Sequence, residues 1–414
     1  MSNNVLTLSV ITREAIELWK NTNAFLQNVD QQYDNQFAQS GAKAGTQIRI
    51  RLPNDYTVAT GPALQVQDTQ ETSTTLVVAT QKHVDVAFST LERTMSLDDY
   101  SERILAPAIN NLAGSVAVDI MSGSEGGVAN IVSNLQSNGT VGTPNQFTYL
   151  AGGAALDNQS APLGRRKVVN SPTTEARTVG NLSGLFNPQQ DISKQYRMGM
   201  MGQALGFDWM KDQTVILHTN GSFTAGTING AGQTGTTLTV NAITGNLNQG
   251  DIINIAGVVG VNRVTKTSYG SPRQFVVTAA ASSGATSISI YPAIIPGATG
   301  YNPVTGANAV QYQTVVASPA NGAAITFDPA APTASGQIRK NIAFAPQAVS
   351  LAFADLEMPT KGVEEYAREA FDGVSMRMLT GYVIGTDQLV TRLDVLYGYI
   401  WVRPEWACIV ADQI

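Results

Sequence analysis

The chain has little cysteine, histidine or charge. One cysteine, Cys408, stands among 414 residues, so no intrachain disulfide and no cysteine-based zinc site can form. The two histidines, His83 and His218, fall in no HxH or HExxH pattern. Charged residues make up 14%, well under the usual quarter. No basic surplus exists. The formal net charge is −6, whereas a protein devoted to gripping nucleic acid carries a basic stripe; local weak contact with DNA stays open. The start, MSNNVLTLSVITREAIELW, lacks the basic and apolar segments of a secretory signal. No window reaches the ~18 apolar residues of a membrane helix. The expectation is a protein made and folded in cytoplasm, with no membrane partner.

What the chain does contain is length, turns and apolar pattern. Its 414 residues imply two or three structural units. Hydrophobic residues at 43% argue against disorder, and 38 glycines with abundant Thr, Ser and Asn point to many turns and strands.

The first segment reads as helix. Ile16, Trp19, Leu26, Val29, Tyr33 and Phe37 fall on one helical face, with Thr12 as N-cap and Glu14 in the first turn. TQIRIRLP and KHVDVAF then alternate with the period of half-buried strands. Between them, PNDYTVATGPALQVQDTQETSTT is too polar to build a core, which predicts a long two-stranded arm needing a neighbour to lie on. Ser96 and Asp99 resemble a capping box. Ile104, Ala108, Leu112, Val116 and Ile120 trace one side of a helix broken near Pro107, so a short helix precedes a longer one from about Ala106. RRKVVNSP and DQTVILHT read as strands, and ISKQYRMGMMGQALG between them as helix.

The composition then changes. From Phe223 to Ile338 the only charged residues are Asp251, Arg263, Lys266, Arg273 and Asp328. LTVNAI, DIINIAGV, QFVVTAA, SISIYPAII and AITF alternate with turn residues, the pattern of a small all-β barrel or sandwich. Mixed sequence returns after Ile338, with strands in KNIAFAPQAVSLAF, SMRMLTGYVIG and TRLDVLYGYIWVRPEWACIV. The β block is best read as a domain inserted into another.

No catalytic constellation emerges. His83 and His218 read as strand residues, and Cys408 in WACIV as a small buried hydrophobe. Asp98–Asp99 and Glu364–Glu365 are neighbours that point apart on a helix. GAGQTG matches GxGxxG at Gly230, Gly232 and Gly235, but the strand TTLTVNAI follows it where a dinucleotide site needs a helix. Catalytic, cofactor-binding and metal-binding residues are all expected to be none.

The order of parts resembles the major capsid proteins of tailed bacteriophages, specifically the P22-type coat proteins. The likeness is carried by REAIELWKNTNAFLQNVDQQYDNQF, SERILAPAINNLAGSVAVDIM, GNLNQGDIINIAGVVGVNRVT (with Gly250, Asp251 and Gly257) and YGYIWVRPEWACIV (with Tyr397, Gly398, Arg403, Pro404 and Glu405). The resemblance implies an α+β, HK97-like capsid fold with an inserted β-barrel. It places a first core part at 1–222 (N-arm 1–40, E-loop 46–88, spine helix 98–122), the barrel at 223–338 and a second core part at 339–414. It implies a homo-oligomer of hexamers and pentamers forming an icosahedral virion shell around double-stranded DNA. That shell would hold its DNA weakly and non-specifically, assembled in the host cytoplasm with a scaffolding protein and portal. On that reading Arg49, Arg51, Asp55, Tyr56, Asp68, Glu71 and Lys82 are candidate contacts of the E-loop. The segment before Gly250 lacks the charged loop of some relatives, so Arg263, Lys266 and Arg273 are the insertion's contact candidates, weighed against an ordinary solvated face. An encapsulin-like shell protein and a secreted β-rich adhesin remain as alternatives.

Overall fold

The computed structural model describes residues 8–33, 46–52, 55–56, 58, 60–62, 64, 72–88, 101–137, 140–182, 202–297, 310–329, 336–359, 365–371, 373–384 and 388–413. In chain order the elements begin with α1 (Leu8–Thr22), β1 (Asp30–Tyr33), β2 (Thr46–Arg51), β3 (Ser73–Val78), β4 (Thr80–Phe88) and α2 (Ala106–Gly123). Next come β5 (Asn130–Leu135), β6 (Val141–Gly142), α3 (Gln146–Asn158), β7 (Lys167–Asn170), α4 (Pro172–Leu182), β8 (Gln203–Ala204), β9 (Phe207–Lys211) and β10 (Leu217–Thr219). Then follow β11 (Gly235–Thr239), β12 (Ile252–Val261), β13 (Ser268–Val277), β14 (Ser287–Ile294) and β15 (Ile325–Phe327). The last are β16 (Gln337–Phe344), β17 (Val349–Ala354), β18 (Glu365–Phe371), β19 (Val374–Val383), β20 (Gln388–Trp401) and β21 (Ala407–Gln413). The mixture is α+β. The chain forms two compact units, one from 1–50, 74–120 and 349–402, the other from 51–73, 121–348 and 403–414.

In the first unit β20 pairs with β4, β17 and β19, and the sheet runs β1-β17-β20-β19-β18. The helical stripe holds only at its start. Ile16 and Trp19 are buried, with Trp19 edge-on to Phe353 at 6.0 Å. The helix stops at Thr22, and Asn23 Oδ1 accepts from the Leu26 N–H at 3.0 Å to open a 3-10 turn. Residues 30–33 then join β17 in parallel, Asp30 opposite Ser350 and Tyr33 opposite Phe353, so sheet pairing overrides the helical spacing. Thr12 lies buried inside the helix and is not its N-cap. Phe37 lies outside the described residues.

The arm also differs from expectation. β2 pairs with β3, not with β4. β4 instead runs along β20 for nine positions, from Phe88 opposite Leu389 to Thr80 opposite Tyr397. The longer strand finds the longer partner. Leu76 and Val78 of β3 pack with Ala352, Ala354 and Leu396, and Ile48 and Ile50 of β2 lean on the same cluster. The base of the arm therefore lies on its own unit's sheet. Gly398 allows this approach, because a Cβ there would sit 2.2 Å from the Val77 carbonyl oxygen.

A π turn at Ser101–Leu105 precedes α2, matching the expected short-then-long helix. The capping pair Ser96 and Asp99 lies outside the described residues. One expectation is corrected here: Arg103–Gly126 is long and apolar enough to cross a membrane by length and composition. Half of its most apolar window is nevertheless buried in the protein, as a core helix requires. Trp401 Nε1 donates to the Ile120 carbonyl at 3.0 Å, and Lys82 holds Asp119 at 2.7 Å.

In the second unit a mixed sheet runs β6-β5-β21-β16-β7-β9-β8, with β10 beside β16. Asn145 caps α3 through a capping box with Thr148, and the helix buries Tyr149 and Leu156 against Val168, Val410 and Cys408. Pro172, expected only as the stop of a strand, opens α4. Of DQTVILHT only Leu217–Thr219 is strand, and β9 (FDWMK) was not anticipated. Residues 192–201 of the expected helix ISKQYRMGMMGQALG lie outside the described set, and Gln203–Ala204 is strand. A second, antiparallel sheet runs β11-β14-β13-β12-β15. Its core draws on Phe223, Ile228, Leu238, Ile253, Phe275, Ile290, Val315 and Ile325. All five of its strands overlap those expected from alternation, and GAGQTG does run into one of them, β11.

Candidate functional site

Two charge clusters of the second unit draw on the block 223–338, where charges are few. In the first, His218 on β10 lies between two carboxylates. Its Nδ1 is 2.7 Å from Glu125 Oε1 and its Nε2 is 2.9 Å from Asp251 Oδ1. Both ring nitrogens thus face a carboxylate oxygen. Lys340 on β16 donates to the Gly250 carbonyl at 2.8 Å and stands 3.4 Å from Glu125. Asp251 also accepts from the backbone N–H groups of Asn248 at 2.7 Å and Gly221 at 3.1 Å. Burial pushes Lys340 down to about 8, against the pull of Glu125 and Asp251. Burial works to raise Glu125, but the His218 hydrogen bond and the Lys340 charge bring it below its ordinary value.

Gly250 is the hinge of this cluster. Its φ is +92°, and a Cβ would lie 2.9 Å from Lys340 Nζ, 3.0 Å from Glu125 Cβ and 3.1 Å from His218 Cε1. Only glycine fits. The two carboxylates occupy opposite ring nitrogens, so the set cannot close around one ion, and no metal-binding group occurs among the described residues. The cluster ties the start of β12 to β10, β16 and the turn after α2. Sequence reasoning placed His218 correctly in a strand but missed its partners, which come from positions 93 and 33 residues away. The only local hint was Asp251, a charge in a block almost free of charge.

The second cluster centres on Arg263, in the loop between β12 and β13. Its Nε donates to both oxygens of Asp55, at 3.1 and 3.0 Å, and its Nη1 to Glu405. Glu405 also faces Arg403 at 3.4 Å and accepts from Tyr291 Oη at 3.3 Å. Burial opposes the charge of Arg263, but Glu405 and Asp55 prevail and raise its pKa. The guanidinium therefore clamps three distant stretches of one chain.

The remaining candidates divide by environment. Lys266 donates to the Gln311 carbonyl, and burial lowers its pKa. Arg273 is 4% exposed and meets Tyr269 Oη at 3.4 Å. The solvated face weighed for Arg263, Lys266 and Arg273 does not hold for buried Arg273, while Arg263 and Lys266 are half-buried and bond acceptors of their own chain. Lys82 is held by Asp119 and by Ser115. Arg49 and Arg51 are exposed on β2, and Tyr56 is exposed on the arm. Asp68 and Glu71 lie outside the described residues, as do Asp98 and Asp99. Glu365 is on strand β18 rather than a helix. Cys408 is fully buried, and burial pushes its thiol up to about 12, the behaviour of a packing residue.

Comparison with known proteins gives this architecture its class. A family model described as "P22 coat protein - gene protein 5" matches residues 1–410. The class is therefore that of viral coat proteins, the subunits of a shell. With all but the last four residues matched, the chain belongs to the P22 coat protein family. It is a bacteriophage major capsid protein and a component of the virion. Similar solved structures include a chain from Mycobacterium phage Che8, 10% identical with TM-score 0.43, covering 94% of this chain and 90% of that one. Another is the capsid of cyanophage P-SCSP1u, 11% identical with TM-score 0.44, covering 93% and 86%. The CUS-3 coat protein I-domain is 25% identical with TM-score 0.20, covering 25% of this chain and 94% of that one. A comparison with curated protein sequences returned no match.

Proposed function

We propose that copies of this chain build a closed icosahedral shell of hexamers and pentamers around a double-stranded DNA genome, without catalytic activity. Assembly takes place in the bacterial cytoplasm with a scaffolding protein and a portal, and the packaged DNA is held only weakly. The observation that carries this reading is the family match along 1–410. It removes the secreted-adhesin alternative. The acidic balance, −6 overall, suits a container that must not grip its contents.

The parts take the roles expected of an HK97-like subunit. Residues 1–222 and 339–414 form the core, with N-arm 1–40, E-loop 46–88 and spine helix 98–122, and 223–338 form the inserted barrel. Support for the arm's role lies in its surface. Val58 is 97% and Leu64 89% exposed, an apolar display that is a liability on an isolated protein and an asset in a lattice. With Arg49, Arg51 and Tyr56 these residues form the contact edge. Each contact is of modest size, roughly 1,000–1,600 Å², and repetition makes the shell stable.

The test removes residues 53–71 and compares deletion and wild type by sedimentation and electron microscopy, with scaffold co-expressed. Wild type gives shells. The deletion gives folded, soluble subunits without shells. Normal shells from the deletion refute the role of the arm.

A further inference from the structure

Beyond that reading, and resting on it, we infer that subunits join head to tail through a groove beside α3, filled by Leu163 and Arg165 of a second copy. The groove, about 490 Å³ in volume, lies between α3 and β13. Its lining is mixed, with an apolar side formed by Phe147, Leu150, Ala154, Ile131 and Pro272. Phe147, at 77% exposure, stands open at its rim.

The floor carries acceptors without a cation. Asp328 Oδ2 accepts from Asn254 Nδ2 at 2.9 Å and from Gln274 Nε2 at 2.5 Å. No cation faces Asp328 among the described residues. The bond to Asp328 fixes the Asn254 amide, and its buried Oδ1 has no donor. An incoming strand is excluded at Ile131, whose backbone N–H and C=O are already taken by Gln274, at 2.9 and 2.8 Å. What the groove lacks is an apolar side chain and a cationic donor.

The same chain presents both. In the loop Pro162–Arg165, Leu163 is 83% exposed, so it does not fill its own groove. Arg165 is exposed and makes no ion pair among the described residues. The loop is held in shape by the buried neighbour Arg166, which donates to the Pro162 carbonyl at 2.9 Å, the Ala161 carbonyl at 2.8 Å and Asp157 at 2.7 Å. A preorganised loop loses little entropy on docking, and arginine is enriched among the residues that carry most binding energy at interfaces. In a ring each subunit gives its loop to one neighbour and its groove to the other, a heterologous contact that closes where the rotation allows.

The test co-assembles two variants, Phe147→Cys and Leu163→Cys, and oxidises the shells. Both positions are exposed, and the native Cys408 is buried and inert. Mixed shells are expected to give disulfide-linked dimers that neither variant gives alone. Mixed shells with no such dimers overturn the contact while leaving the assembly reading intact. Wild-type chains that form no shell with scaffold overturn that reading and the contact with it. Independently, Arg165→Glu is expected to raise the concentration needed for assembly roughly tenfold, the effect of losing ~1.4 kcal/mol per contact, with monomer circular dichroism unchanged. Unchanged assembly refutes the role of Arg165.

Discussion

Replacing Lys340 with methionine tests whether the buried charge cluster holds the second unit together. Methionine keeps the length and apolar body of the side chain, so packing changes little. The loss is electrostatic. The Gly250 carbonyl loses its donor at 2.8 Å and Glu125 its ammonium at 3.4 Å. His218 alone then faces two carboxylates. Removing one partner of a fully buried ion pair costs roughly 3–5 kcal/mol. Glu125 retains 24% exposure, and water compensates part of that loss. Burial disfavours the ammonium itself, and methionine removes that cost, so the expectation lies below that range, about 2 kcal/mol, measured by urea unfolding of unassembled subunits. A double-mutant cycle with Glu125→Gln isolates the pair and should show coupling of about 1–2 kcal/mol. A loss below about 1 kcal/mol, with the two changes additive within ~0.5 kcal/mol, refutes the assignment.

The same cluster sets a pH dependence. Lys340 is depressed to about 8 from 10.5, so between these values the unfolded chain binds more protons and stability rises with pH. Glu125 is lowered from 4.5, so its contribution is present above that value and is lost as pH falls through the folded value. Thermal unfolding across pH should show both trends in wild type, with the alkaline rise missing in Lys340→Met; an identical rise in the variant argues against Lys340. Arg263→Ala should cost about 1.5–3 kcal/mol, the range for hydrogen bonds to charged groups, and make residues 52–72 faster to cleave by protease. Unchanged cleavage leaves the clamp without a role. Gly398→Ala forces a Cβ to within 2.2 Å of the Val77 carbonyl and should cost at least ~2 kcal/mol by overpacking; hydrogen exchange at 73–78 should quicken, and unchanged exchange refutes the close approach.

Local pattern was legible where a strand buries one face in its own surroundings. SISIYPAI alternates in sequence, and in the structure Ile288, Ile290 and Ile294 point into the core. The break at Pro107 and the helix after it were equally plain, because backbone chemistry is local. Partners were not legible. β4 has the alternation of an arm strand, yet it joins β20 some three hundred residues later in the chain. The stripe through Tyr33 has helical spacing, but β17 offers residues 30–33 a ladder of backbone hydrogen bonds, worth more than a helical turn on the surface. Arg263 carries no mark of Asp55 or Glu405, which lie 208 and 142 residues away.

By itself the sequence determined composition, periodicity and the order of parts, and through that order the resemblance to a family. These are properties of neighbouring residues, set by torsion preferences and side-chain alternation. Tertiary structure alone decided which strands pair and where the few charges meet. A charge in a nearly uncharged, buried setting is costly unless it is paired or hydrogen-bonded. Its partner is chosen by whichever distant segment the packed backbone brings within about 3 Å.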